Sequence, residues 1–242
     1  MPKLWALGST PAHKYACSLL KNAGFTIVEQ PEGDLQGVFL DVPSFRTPLI
    51  TPEKLLPQLP EGTVLIGGNL GNLGNHPTID LLTDPDYTAK NADLTARCAL
   101  RLGAGRLDCV FTELPILILG WGRIGKCLAR LLRALDAEVW VYARKERDRA
   151  MLRALGYHAL PVSPEEADLG RFRLIYNTAP APMLSKAKTD NLHRCILMDL
   201  ASSPGMDGPG VISARGLPGL LAPESSGVLI ADTLTRLWRE RQ

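Results

Sequence analysis

Short apolar runs alternate along the chain with segments whose apolar residues recur every three or four positions. That is the pattern of an α/β protein with parallel sheets. "KLWAL" (3–7), "FTIV" (25–28), "GVFLDV" (37–42) and "TVLIG" (63–67) predict strands of a first sheet within residues 1 to about 85. After the first of them, Ser9 or Thr10 is placed to cap a helix with Pro11 in its first turn and Gly24 at its end. "GGNLGNLGNHP" (67–77) is too rich in Gly and Asn to hold regular structure. Residues 88 to 103 predict a helix carrying Ala92, Thr95, Ala96, Ala99 and Leu100 on one side, which places a domain boundary near 85 to 113.

The second half repeats the alternation more clearly. "ILIL" (116–119) is a buried strand, and residues 124 to 135 form a helix with Ile124, Leu128, Leu131, Leu132 and Leu135 at helical spacing. "EVWVYA" (138–143) is the next strand, followed by a helix at about 146 to 155 closed by Gly156. "FRLIYNT" (172–178) and "CILMDLA" (195–201) predict two further strands, and a last helix spans about 226 to 241.

Between the strand at 116 and its helix lies Gly120-Trp121-Gly122-Arg123-Ile124-Gly125, a G-x-G-x-x-G in the strand–turn–helix context that gives the motif meaning. Gly120 allows the tight turn, Gly122 lets backbone approach a pyrophosphate, Gly125 lets helix and strand pack closely, and the helix N-terminus offers N–H groups to phosphate. The predicted fold class is therefore α/β, with two Rossmann-like domains on parallel sheets, the C-terminal one a doubly wound dinucleotide-binding domain. Residues 1–90 are expected to form an N-terminal substrate-side domain and 91–113 an interdomain helix and linker. Residues 114–225 would then be the NAD(P)-binding domain and 226–242 a C-terminal helix packing back on the first domain, with the cofactor in a cleft between the two.

The end of the strand at 138–143 decides which cofactor. An acidic residue there accepts hydrogen bonds from the adenosine ribose of NAD. This chain has Ala143, followed by the cations Arg144, Lys145 and Arg147. Arg144 is placed to pair with a 2′-phosphate, with Lys145 or Arg147 in support, which points to NADP. Arg149 and Arg153 are expected on the solvated face of the following helix. Asn177 and Thr178 end a strand at the edge where cofactor and substrate meet, although Asn177 equally suits a cap for the turn before Pro180. Ser202 and Ser203 can donate to a carboxylate or satisfy the turn before Pro204. The candidate cofactor set is thus Gly120, Gly122, Arg123, Ile124, Gly125, Ala143, Arg144, Lys145, Asn177 and Thr178. Asn177, Ser202 and Ser203 are the substrate-side candidates, and the catalytic group is unassigned.

Composition removes other classes. A net charge of +2 over 242 residues lacks the broad basic field of a nucleic-acid binder. The five cysteines are scattered without a CxxC pair, so no zinc site, other metal site or disulfide framework is expected. The start, "MPKLWALGST", is too short in apolar residues for a signal peptide, and no run approaches a bilayer span, so a cytoplasmic protein without membrane contact is expected.

"GWGRIG", the "AR" at 143–144, "YNTAPAPML" (176–184), "MDLASSPG" (198–205), "GLPGLLAPESSG" (216–227) and, more faintly, "NADLTARCAL" (91–100) together resemble the A subunit of dipicolinate synthase. The resemblance implies a cytoplasmic, NADP-dependent sporulation oxidoreductase. It also implies a homo-oligomer that takes a small dicarboxylate substrate and works with a flavoprotein-like B subunit. The reaction implied is oxidation of a hydroxy-tetrahydrodipicolinate-type precursor to dipicolinate. This chain departs from the family pattern: Ser203 stands where the family has arginine, Glu224 where it has lysine, and Arg97 and Cys98 where it has an acidic residue and glycine. The first domain is also shorter. Two cations are lost from a dicarboxylate site, with Arg97 as a candidate replacement, so a non-catalytic NADP-binding subunit or diverged paralogue with a different small ligand stands as the alternative. A 2-hydroxyacid dehydrogenase would need a histidine near "LLAPESSG". The four histidines are His13, His76, His158 and His193, and His76, at the end of the Gly/Asn loop, is the one placed to reach a cleft.

Overall fold

The computed structural model describes residues 1–31, 33–46 and 50–241. The chain divides into two compact units, Met1–Asn91 with Pro218–Gln242, and Ala92–Leu217. The first contains β1 (Lys3–Leu7), α1 (Pro11–Asn22), β2 (Thr26–Val28), β3 (Gly37–Leu40), α2 (Pro52–Leu55) with a 3-10 turn at Leu56–Gln58, β4 (Val64–Gly67) and β5 (Thr78–Asp80). Helix α3 (Pro85–Ala104) carries the chain into the second unit. There follow β6 (Pro115–Leu119), α4 (Arg123–Arg133), β7 (Glu138–Tyr142), α5 (Glu146–Ala154), β8 (His158–Ala159), β9 (Leu174–Asn177), α6 (Lys186–Thr189), β10 (Ile196–Asp199) and β11 (Val211–Ser213). Helix α7 (Leu217–Leu221) leads to α8 (Pro223–Glu240), which returns to the first unit.

Both sheets are parallel throughout. The first runs β2-β1-β3-β4-β5 and the second β11-β10-β9-β6-β7-β8. These are the two common doubly wound orders, and both reverse direction at one point in the sheet, the topological switch point. The strands are apolar on both faces because both faces are covered. In the first unit Leu4, Phe39 and Ile66 pack with α1 and with Ile230, Leu234 and Trp238 of α8. Their neighbours Trp5, Val38, Leu40 and Leu65 pack on the other side with Leu55, Leu70 and Leu73. In the second unit Leu117, Leu119, Ile175 and Leu197 share a core with Leu160, Phe172 and Leu184. Among the described residues no helix is long and apolar enough to cross a membrane.

The predicted strands and long helices are present, with differences that have local causes. β3 stops at Leu40 rather than at 42, because Asp41 turns its carboxylate onto the start of α1. β5, β8 and β11 have two or three residues each, too few for a period to show. The "GLPG" segment is the helical turn α7, and α8 begins at Pro223, which occupies a first-turn position where a missing N–H costs nothing. His76 bonds through Nδ1 to the Thr63 carbonyl, just before β4 begins, so it lies at the amino edge of its sheet, away from the edge where α/β sheets bind ligands.

His13, in the first turn of α1, is buried. It stacks on Phe39 with ring centroids 4.2 Å apart, and its Nε2 is 3.0 Å from the Phe39 carbonyl oxygen. Burial lowers its pKa from the ordinary value of 6.5, against the opposing pull of the Phe39 carbonyl and the Asp41 charge. The unfolded chain therefore takes up this proton at a higher pH than the folded one. His13's contribution is fully present above about pH 6.5 and is lost as pH falls below it. In urea unfolding, His13→Gln is expected to flatten the loss of stability between about pH 7.5 and about pH 5.5. An unchanged slope would place that loss elsewhere.

Candidate functional site

Register brings the site together. At the carboxyl edge of the second sheet, Tyr142 pairs with Leu119, Leu119 with Asn177, Asn177 with Asp199, and Asp199 with Ser213. Five strands end level, so the loops opening at Gly120, Ala143, Thr178 and Leu200 leave the sheet side by side. The switch point falls between β6 and β9, where the glycine loop and the Thr178 loop are neighbours.

The three glycines are needed for three different reasons. Gly120 has φ +110°, and a Cβ there would lie 2.7 Å from Thr178 Oγ1. Gly125 begins the close contact of α4 with the loop, and a Cβ there would fall on the Gly120 carbonyl oxygen. Gly122 is the N-cap of α4, and a Cβ there would meet nothing within 4 Å. The space above Gly122 is open, which suits close approach by a pyrophosphate. The helix it starts has no side-chain cap, so its first-turn N–H groups receive no such partner. Arg123 is exposed and Ile124 half-buried in that first turn. Trp121, between the glycines, packs against Tyr157, edge to face at 5.7 Å, and against Lys126, whose Nζ lies 5.8 Å from the indole centroid.

The first unit shows the contrast. Its own switch point lies between β1 and β3, at the start of α1. There Asp41 accepts hydrogen bonds from the N–H groups of Ser9 (2.9 Å) and Thr10 (3.2 Å) and from the Thr10 hydroxyl (2.6 Å). A carboxylate of the chain already sits where an anion would bind. The start of α4 has no counterpart among the described residues.

Asn177 and Thr178 turn inward. Thr178 Oγ1 donates to the Leu119 carbonyl at 3.1 Å and fastens β9 to the glycine loop. Asn177 is fully buried: its Nδ2 donates to Asp199 Oδ1 (2.9 Å) and the Ala179 carbonyl (3.1 Å), and its Oδ1 accepts from the Ala179 N–H (3.1 Å). Its side chain shapes the loop before Pro180 and leaves no polar atom facing outward. Asp199, which is absent from the residues expected on sequence grounds, accepts from the N–H groups of Ala201 (3.1 Å), Gly205 (2.7 Å) and Met206 (3.2 Å). An aspartate followed by Leu-Ala-Ser-Ser-Pro-Gly is a turn signal, since a short acidic side chain at a strand end can accept from N–H groups of the loop after it, and it is the sequence feature that could have found this residue. The Asn177–Asp199 pair folds the 200–206 loop and leaves Ser202 and Ser203 exposed upon it.

Beside the glycine loop, Ala143 is buried, whereas Arg144, Lys145 and Arg147 are exposed and form no ion pair among the described residues. Arg153 is exposed, paired with Glu146 at 2.7 Å. Arg149 departs from its expected place on the wet face. Its side chain is only 23% exposed, it pairs with Glu146, and its Nη1 donates to the carbonyls of Ala143 and Arg144, both at 2.9 Å. Arg97 is likewise engaged: Asp93 holds it at 2.7 Å and Arg130 at 2.9 Å. The bond from Arg97 chiefly holds the Asp93 carboxyl below its ordinary range. Glu224, in the first turn of α8, is exposed where a helix dipole favours an acid over a lysine.

Sheet order, switch point and glycine loop define a two-domain α/β fold of the Rossmann, dinucleotide-binding kind. Within that class the chain resembles the A subunit of dipicolinate synthase. It is 26% identical to that protein of Bacillus subtilis (strain 168) over 183 residues, 72% of this chain and 62% of the relative's length. The match thus spans less than two thirds of that curated relative. The corresponding dipicolinate synthase structure from Bacillus halodurans superposes with a TM-score of 0.82 at 21% identity, over 98% of this chain and 97% of the other. A transhydrogenase from Sinorhizobium meliloti shares the fold with a TM-score of 0.71 at 16% identity, over 99% and 94% of the two chains. No family model matches the chain.

The glycine geometry separates packing from binding. Gly125→Ala is expected to cost about 1–3 kcal/mol through overpacking. At Gly122 the loss of a favoured cap residue is offset by a less flexible unfolded chain, so Gly122→Ala changes stability by about 0.5 kcal/mol or less. Thermal unfolding of the two variants checks this, and equal losses would show that the space above Gly122 is not open.

Proposed function

We propose that this chain is an NADP-dependent oxidoreductase of the dipicolinate synthase A type, oxidising a hydroxy-tetrahydrodipicolinate-like dicarboxylate. The observation that carries the cofactor half is the pairing of an uncapped α4, opening at Gly122, with an unpaired Arg144 beside a buried Ala143. Gly120, Gly122 and Gly125 with the first turn of α4 would hold the pyrophosphate, and Arg144, supported by Lys145, the 2′-phosphate. Ala143 offers no carboxylate to repel that phosphate. When bound, the nicotinamide supplies a hydride acceptor. Loss of water, a hydride and a proton from the proposed substrate leaves an aromatic pyridine dicarboxylate, which gives the reaction its driving force. Thr178 and the Asn177–Asp199 pair fix the loops around the reacting edge, and Ser202 and Ser203 are the exposed donors for a substrate carboxylate. A homo-oligomeric assembly, a cytoplasmic place in sporulation and a flavoprotein-like partner belong to the same proposal.

One observation favours a second reading. Arg97 is drawn to Asp93 in an exposed pair, so its charge is partly offset where cations are missing at Ser203 and Glu224. A diverged paralogue that keeps NADP and takes another small ligand fits that arrangement. Calorimetric titration separates the readings. NADPH is expected to bind tighter than NADH by about 10- to 100-fold, and Arg144→Ala to abolish most of the difference. Equal binding of the two nucleotides by the parent protein would sink the role of Arg144. Binding of dipicolinate to the NADPH-loaded protein supports the dicarboxylate substrate, and its absence favours the second reading.

A further inference from the structure

Arg149 stands out because its charge is already spent. Glu146 takes its Nε and Nη2, each at 2.7 Å, and Nη1 is left to donate to two successive carbonyls, those of Ala143 and Arg144. These are the two carbonyls on either side of the Arg144 Cα. Fixing both peptide planes fixes φ and ψ of Arg144, and with them the direction in which its side chain leaves the backbone. The guanidinium is suited to this, since its planar fork offers several donors in one rigid geometry. Glu146 and Arg149 lie three residues apart on α5, so the helix itself sets the clamp.

We infer that Arg149 is a positioning residue for nucleotide specificity: by clamping the Ala143 and Arg144 carbonyls it aims Arg144 at the cofactor's 2′-phosphate. The inference rests on the proposal that Arg144 holds that phosphate. Without the clamp, Arg144 samples several backbone conformations, and the ordering cost falls on NADPH binding. NADH, which has no 2′-phosphate, gains nothing from that aim and loses little when it goes.

A double-mutant cycle with NADPH and NADH titrations tests this. Arg149→Met keeps the buried stem and removes the donors. It is expected to lower the ratio of NADPH to NADH affinity by about three- to ten-fold in the parent protein and to leave the ratio unchanged in an Arg144→Ala background. Arg149→Lys, which keeps charge but not the fork, should shift the ratio in the same direction, and it serves if the Met variant does not fold. Equal weakening of both nucleotides would reduce Arg149 to a structural role and overturn the inference. The same shift in both backgrounds would also overturn it, by placing the phosphate on Arg149 directly. If Arg144→Ala alone leaves the ratio unchanged, the phosphate role of Arg144 fails first, and that result is separate from the effect of Arg149.

Discussion

The level ending of five parallel strands is the constraint on which the rest depends. Because Tyr142, Leu119, Asn177, Asp199 and Ser213 are successive register partners, the loops of the second unit begin on one line. A shift of one residue in any pairing would turn its side chains to the other face and move its loop off that line. The apolar runs prevent this: Ile116 to Leu119 and Leu174 to Tyr176 are buried on both faces, and slippage at the carboxyl edge would carry a loop residue into the core. The buried polar groups at the edge act in the same direction. Asn177 and Asp199 are hydrogen-bonded to each other and to loop N–H groups, so displacing either strand would leave a buried amide or carboxylate unsatisfied.

Ion pairs in this unit matter chiefly by subtraction. Exposed pairs contribute little stability, roughly 0–1 kcal/mol each. They do decide which cations remain available. Glu146 takes Arg149 and Arg153, Asp93 takes Arg97 and Arg130, Glu138 takes Arg171, and Asp108 takes Arg173. Around the glycine loop this leaves Arg123, Lys126, Arg144, Lys145 and Arg147 without an ion pair among the described residues, with Lys126 lying over Trp121. A basic stretch of modest formal charge is thereby sorted into a small free group beside an open helix N-terminus.

The legibility of the chain follows the range of the interactions concerned. Strands such as 116–119 and the helix after them are visible in the sequence because their cause, burial with a fixed period, is local to the segment. The glycine loop is visible for the same reason, since each glycine answers a steric demand made within a few residues. Arg149 is misplaced by sequence because its partners, the Ala143 and Arg144 carbonyls, are set by how α5 leaves the strand end and not by periodicity. Arg97 differs, since Asp93 lies four residues earlier on the same helix, a pairing that helical spacing itself makes legible. Asn177 shows the limit differently. Its two expected roles, turn cap and edge residue, both describe its position, but only the pairing with Asp199, 22 positions away, explains why its amide is fully enclosed.

The two units also explain each other. Both are doubly wound parallel sheets with a helix starting at the switch point, so sheet topology alone would offer an anion site in each. The difference lies in a single carboxylate. In the first unit Asp41 crosses from the end of β3 to the N–H groups of Ser9 and Thr10 and neutralises the start of α1. In the second, the strand next to β6 ends in Asn177, whose amide is drawn to Asp199 and away from α4, and the strand on the other side ends near Ala143, which carries no polar group. No side chain among the described residues caps the start of α4, and Gly122 keeps its approach clear. The same topology therefore yields one closed edge and one open edge, and the open one lies beside the unpaired cations.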